Sequence, residues 1–171
     1  RGKRRKVRAP RPPGKALVLG SSSMNGAFGD EIIRGLRGLG YTVDKQGKSS
    51  SGFARPDFYD WQAEIRSLPI HADTAGVVIY LGTNDAQAIH LRPAERRRLH
   101  RKSAWLPWKH PAWVPTYAAR VSAFARALCK RGVHRVAILT PVNVVKPRLR
   151  ARLIQVRTAL ARGARPVPCA R

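Results

Sequence analysis

Three short polar stretches carry residue types that can do chemistry: Ser21-Ser22-Ser23, the glycine- and serine-rich Gly47–Gly52, and Gly82-Thr83-Asn84-Asp85. A serine on a tight turn at a helix N-terminus exposes its hydroxyl and sets backbone N–H groups beside an incoming carbonyl. It can then attack while those donors hold the developing oxyanion. A glycine lets backbone approach closely, and a carboxamide adds a side-chain donor. Histidine, the usual general base for such a serine, occurs five times. His71 and His134 fall at the amino ends of predicted strands, His100 and His110 in a basic insert, and His90 six residues after Asn84. No two histidines stand at metal-ligand spacing with a cysteine or carboxylate, so no metal is expected.

These stretches must be positioned by the elements around them. Ala16–Gly20 (ALVLG) and Gly76–Leu81 (GVVIYL) are short apolar runs, as expected of strands buried on both faces of a parallel sheet. Tyr41–Asp44 and Val133–Thr140 are two further predicted strands, and Arg165–Val167 resembles the start of a fifth. Between them, Ile32, Ile33, Leu36 and Leu39 share one helical face that Gly40 ends. Phe58–Leu68 is a weaker predicted helix. Trp113–Lys130 and Leu149–Arg162 repeat their apolar residues at helical spacing. Strands alternating with helices predict a three-layer α/β/α fold around a doubly wound, mostly parallel sheet. In such sheets the ligand crevice lies at the carboxyl ends of the strands. Each of the three polar stretches directly follows a predicted strand, so all three are expected on one rim.

The chain has 171 residues with 43% hydrophobic content, enough for one domain with a real core rather than two. Its formal charge of +25 is unevenly spread: +7 over residues 1–13, −1 over 14–91 and +19 over 92–171. The first segment, RGKRRK followed by PRPP, reads as a flexible basic leader, leaving 14–171 as a single domain. The longest apolar stretch, around Gly76–Gly82, is far short of the roughly 20 residues that span a bilayer. The basic second half suits a polyanion, and net charge alone does not choose among nucleic acid, anionic lipid and acidic polysaccharide.

Strand-Gly20-Ser21-Ser22-Ser23-Met24, the loop closing at Gly52, and Gly82-Thr83-Asn84-Asp85 resemble the first three sequence blocks of the SGNH (GDSL-type) hydrolase superfamily, in order and at plausible spacing. The likeness covers roughly residues 14–165. Ser49–Trp61 (SSSGFARPDFYDW) is further similar to a bacterial branch of that superfamily, long carried as a domain of unknown function, in which a Gly-x-x-x-Pro-Asp-x-x-Asp-Trp run follows the second strand. The resemblance implies a flavodoxin-like SGNH hydrolase fold and an esterase-type activity, acyl-ester cleavage through an acyl-serine intermediate, with a small-molecule or carbohydrate ester as substrate. It aligns Gly-Asp-Ser on Gly20, Ser21 and Ser22, making Ser22 the nucleophile, and gives the oxyanion to the Gly52 N–H and the Asn84 carboxamide. Acyl transfer to water needs no cofactor, and none is expected.

Two departures from the family pattern stand out. Ser21 replaces the aspartate that often braces the nucleophile loop. The Asp-x-x-His block that supplies the family's base is missing, since the sequence closes on Pro166-Val167-Pro168-Cys169-Ala170-Arg171. The expectation is therefore a fold lacking its last elements. The rival reading is a catalytically inactive hydrolase-like module that binds nucleic acid or another polyanion through its basic second half. Arg92–Ala112, with RRRLHRK and then Trp105, Trp108 and His110, is either a lid whose tryptophans stack on a sugar or a surface loop that they anchor to the core. Cys129 and Cys169 are expected to be unpaired, a disulfide requiring an oxidising compartment. The resemblance leans towards a bacterial, exported protein without fixing the compartment, and nothing in the sequence fixes an oligomeric state.

Overall fold

Three apolar runs, which can bury both faces only inside a sheet, pair side by side with a fourth, more polar strand that stays partly exposed. They are β1 (Lys15–Gly20), β2 (Thr42–Gly47), β3 (Thr74–Tyr80) and, after the insert, β6 (Val136–Leu139). A computed structural model describes residues 14–142 and 144–170. The basic stretch 1–13, expected to be a flexible leader, lies outside the described residues. All pairings in this sheet are parallel, in the order β2-β1-β3-β6. The expected α/β architecture is present.

Side chains alternate across the sheet. Val18 and Tyr80 face α1 (Ala27–Gly38), where Met24 and Ile33 complete a small core. Leu17, Leu19, Val77 and Ile79 face the other way, onto α3 (Trp113–Lys130) and α4 (Pro147–Ala164). That second layer holds the larger core, with Tyr117, Val121, Phe124 and Leu128 of α3 against Val156 and Leu160 of α4. Gly40 (φ 87°) and Gly132 (φ 88°) end α1 and α3 in the left-handed region. No described helix is long and apolar enough to cross a membrane.

The insert between β3 and α3 carries its own small elements: a two-stranded antiparallel pair, β4 (Ile89–His90) and β5 (Trp105–Leu106), bracketing α2 (Pro93–Arg98). Several expectations are corrected. Phe58–Leu68 is not a regular helix but a series of turns ending in a 3-10 turn, Ala63–Arg66. The Asp60 carboxylate accepts the N–H groups of Gln62 (2.9 Å) and Ala63, and such local bonding competes with helix formation. Arg165–Val167 forms a turn; the contact with the sheet comes later, as a parallel bridge between Val136 and Ala170. That bridge is stapled by a disulfide between Cys129 and Cys169, Cα atoms 6.1 Å apart, in place of two unpaired thiols. The end of α3 and the segment after α4 meet at the β6 edge, which a sequence separation of 40 conceals.

Candidate functional site

The register of the sheet brings the three polar stretches to one edge. Gly20 stands opposite both Gly47 and Tyr80, so the chain leaves β1, β2 and β3 at the same level. After β1 the Gly20 carbonyl accepts the Lys48 N–H (2.9 Å) and the Ser21 carbonyl accepts the Met24 N–H (3.0 Å). This folds Ser22–Asn25 into a 3-10 turn ahead of α1. Ser21 and Met24 are buried by the turn, and Ser22 is left exposed. Among the described residues, none hydrogen-bonds the Ser22 hydroxyl.

The second stretch is a turn in which Ser51 donates its N–H (3.2 Å) and its hydroxyl (2.6 Å) to the Lys48 carbonyl. Buried Trp61 then donates its indole N–H to the Ser51 Oγ (3.0 Å). The third stretch starts at Gly82, whose φ of 123° suits glycine, and continues as a 3-10 turn, Thr83–Asp85. Asn84 is half-buried and its Nδ2 donates to the Ser51 carbonyl at 3.1 Å. The structure thus brings Asn84 onto the peptide that joins Ser51 to Gly52. That peptide is trans, so its carbonyl and N–H point in opposite directions. The Gly52 N–H points to the side of that peptide opposite the carbonyl that Asn84 bonds, and among the described residues it has no acceptor. Neither group is hydrogen-bonded to Ser22.

Beneath this peptide lies Asp85, fully buried. Its carboxylate accepts the N–H groups of Phe53 (3.1 Å) and Ala54 (2.8 Å) and the Tyr117 hydroxyl (2.6 Å). It lies so close to Gly52 that any Cβ there would overlap it, so residue 52 has to be glycine for space alone. Burial pushes the Asp85 carboxyl above its ordinary range, opposed by the three hydrogen bonds and the nearby Arg120 charge. Burial also raises the Tyr117 phenol, with the Asp85 charge acting in the same direction. Arg120, buried at 3% exposure, grips the other side of the same dipeptide. Its Nη1 donates to the Phe53 carbonyl (2.6 Å), its Nη2 to the His90 carbonyl (2.7 Å), and it pairs with Glu95 at 2.5 Å.

A cleft of about 270 Å3 opens beside these loops, lined by Ser50, Arg55, Phe58, Asn84 and Gln87. Arg55 grips Asp57 with two nitrogens (2.9 and 2.8 Å) and lies over the Trp105 ring. The Arg55 hydrogen bond holds the Asp57 carboxyl below its ordinary value. His90 places Nδ1 3.6 Å from the same carboxylate and stands edge-on to Trp105. The tryptophans of the insert divide between the two expectations. Trp105 is 41% exposed at the cleft's margin, whereas Trp108 packs on Trp113, which stacks on Tyr117 and donates its N–H to the Gln87 carbonyl. Among the described residues, no three His, Cys, Asp or Glu side chains cluster as metal ligands would.

A family model described as "Protein of unknown function (DUF459)" matches residues 15–167. The chain belongs to the DUF459 family. No curated protein matches this sequence. Among solved structures, this DUF459 chain is similar to the psychrotrophic esterase EstA from Pseudoalteromonas sp., in a form inhibited by monoethylphosphonate. The TM-score is 0.53 at 11% identity, over 92% of this chain and 75% of that one. It is also similar to a protein described as a GDSL-like lipase from Parabacteroides merdae, with a TM-score of 0.52 at 12% identity and the same coverages. At these identities the likeness establishes the fold: the DUF459 chain has a hydrolase-like α/β architecture shared with GDSL-type esterases.

Asp85, Tyr117 and Arg120 of this DUF459 chain are the residues that the pattern of loops does not reveal. Tyr117 reads as one more apolar position of a helix, and Arg120 as one more cation among many. Their three-residue spacing puts both on one face of α3, the one signal available, and it has meaning only once Asp85 is known to lie below.

Proposed function

We propose that this chain is a serine esterase that cleaves an acyl ester, on a small molecule or a carbohydrate, through an acyl-Ser22 intermediate. One observation supports this reading above the others. At the edge where β1 delivers an exposed Ser22, the Asn84 carboxamide lies on the peptide of Gly52, whose N–H has no acceptor among the described residues. A backbone N–H without a protein partner suits a donor that a ligand satisfies.

The Ser22 Oγ attacks the ester carbonyl and the oxyanion so formed accepts hydrogen bonds from Asn84 Nδ2 and the Gly52 N–H. The carbon–oxygen bond to the alcohol then breaks, the alcohol leaves with a proton, and water hydrolyses the acyl-serine to release the acid. A positioned base contributes typically 10²–10⁴-fold to such steps, and no described histidine hydrogen-bonds Ser22. Acylation is therefore expected to be slow on unactivated esters and readily seen only with a good leaving group. Rapid mixing with p-nitrophenyl acetate is expected to give a burst of p-nitrophenol from the wild type that Ser22→Ala lacks; equal traces would remove the enzymatic claim. Asn84→Ala is expected to lower the burst rate about 10²–10³-fold, the usual loss for one oxyanion donor.

A second reading has its own support. No Asp or Glu follows Glu95 in the sequence, so the exposed Arg148, Arg150 and Arg162 along α4 have no carboxylate on their own helix. On this reading the chain binds a polyanion without catalysis, and its affinity for a nucleic acid oligomer falls steeply as salt rises. Binding that is absent or insensitive to salt would count against it.

A further inference from the structure

The inference concerns the same site and rests on the esterase reading. We infer that the oxyanion pocket of the free protein is closed by its own Ser51 carbonyl, and that the Ser51–Gly52 peptide turns over to admit a substrate.

Asn84 Nδ2 already spends one of its two hydrogens on the Ser51 oxygen, at 3.1 Å. That oxygen thus takes up a donor which the esterase reading assigns to the oxyanion. The Gly52 N–H belongs to the same trans peptide and faces the opposite way, so one substrate oxygen does not receive both donors while the Ser51 carbonyl is in place. Rotation of this peptide by about half a turn exchanges its two ends. The carbonyl leaves Asn84, and the N–H comes round to the side of the freed carboxamide hydrogen.

The surroundings confine the motion to this one peptide. Upstream, the Ser51 hydroxyl is bonded to the Lys48 carbonyl and the Trp61 indole, which fixes the side chain and Cα of residue 51. Downstream, the Phe53 and Ala54 N–H groups are bonded to Asp85, and the Phe53 carbonyl is bonded to Arg120. The two following peptides are thus held from both sides, whereas among the described residues the Ser51–Gly52 peptide is held by Asn84 alone. Turning it changes ψ of Ser51 and φ of Gly52. Gly52 now lies outside the left-handed region, and glycine populates positive and negative φ about equally, so its backbone tolerates the change of φ that the rotation requires.

The test uses the full chain, labelled with 13C and 15N, before and after treatment with p-nitrophenyl ethylphosphonate. The reagent forms a bond from phosphorus to Ser22 Oγ and expels p-nitrophenolate, leaving a charged oxygen in the place of the oxyanion. On adduct formation the Gly52 amide proton is expected to move downfield as it gains an acceptor, and the Ser51 carbonyl carbon upfield as it loses a donor. The Phe53 and Ala54 amide signals should stay where they are. A Ser22 adduct with unmoved Ser51 and Gly52 signals would overturn the inference and leave the esterase reading intact. Failure to form any adduct would take down both. Asn84→Asp provides a second measurement on the free protein. A carboxylate accepts and does not donate, so the Gly52 N–H should turn to it without any ligand, and an unchanged Gly52 signal in that variant would contradict the inference.

Discussion

A carboxylate kept from water needs donors, and at Asp85 there are three: two successive backbone N–H groups and the Tyr117 phenol. Hydrogen bonds to charged groups contribute about 1.5–3 kcal/mol each. Tyr117→Phe is accordingly expected to lower stability by about that amount, measured as a shift in the urea midpoint. An unchanged midpoint would mean that the phenol contributes nothing. Ser22, Gly52 and Asn84 could be singled out from the sequence because each sits in a short block after a predicted strand, and the three blocks resemble those of the SGNH hydrolases in order and spacing. Asp85 sits in the same block as Asn84, yet its task depends on Gly52, thirty-three residues earlier, and on a tyrosine that looks like core. A network made by tertiary contact leaves no local spacing to read.

Between elements, Arg120 joins α3 to the loop after β2, to β4 and to α2. Its guanidinium is almost fully buried and faces Glu95. Removing one partner of a buried pair typically costs about 3–5 kcal/mol because the other charge is left without compensation; Arg120→Met should destabilise the chain by that much in chemical denaturation. Burial alone would raise the Glu95 carboxyl, but hydrogen bonds and charge from Arg120 and the Arg92 N–H outweigh it and hold the group below its ordinary value. The stabilisation is therefore present above the ordinary carboxylate range and is lost as pH falls through the lower folded value. Urea midpoints of wild type and Glu95→Gln should converge on acidification, and a gap that stays constant from neutral to acidic pH would contradict this. The long apolar helix Trp113–Lys130 was legible from its periodicity to the residue. The two-residue strands of the insert were not, since two residues display no period. Phe58–Leu68 misleads because its apolar spacing suits a helix while Asp60 and the preceding proline favour turns.

At the scale of the whole chain, a large net charge opposes compaction and a covalent link offsets part of it. The Cys129–Cys169 disulfide closes a forty-residue loop, for which about 2–4 kcal/mol of stabilisation is typical. Cys169→Ala or a reductant should lower the melting temperature and release the Val136–Ala170 bridge, seen as faster hydrogen exchange at the Val136 amide. The parallel sheet and its edge were predictable from alternating strands and helices, and that edge is what gathers three distant loops. The central claim is that this edge presents Ser22 as an acyl acceptor. Its most direct measurement is peptide mapping by mass spectrometry after treatment with p-nitrophenyl ethylphosphonate. The prediction is a single ethylphosphonyl group on Ser22, absent from Ser22→Ala. A protein that remains unmodified, or is modified at Ser21, Ser23 or Ser50 instead, would contradict it.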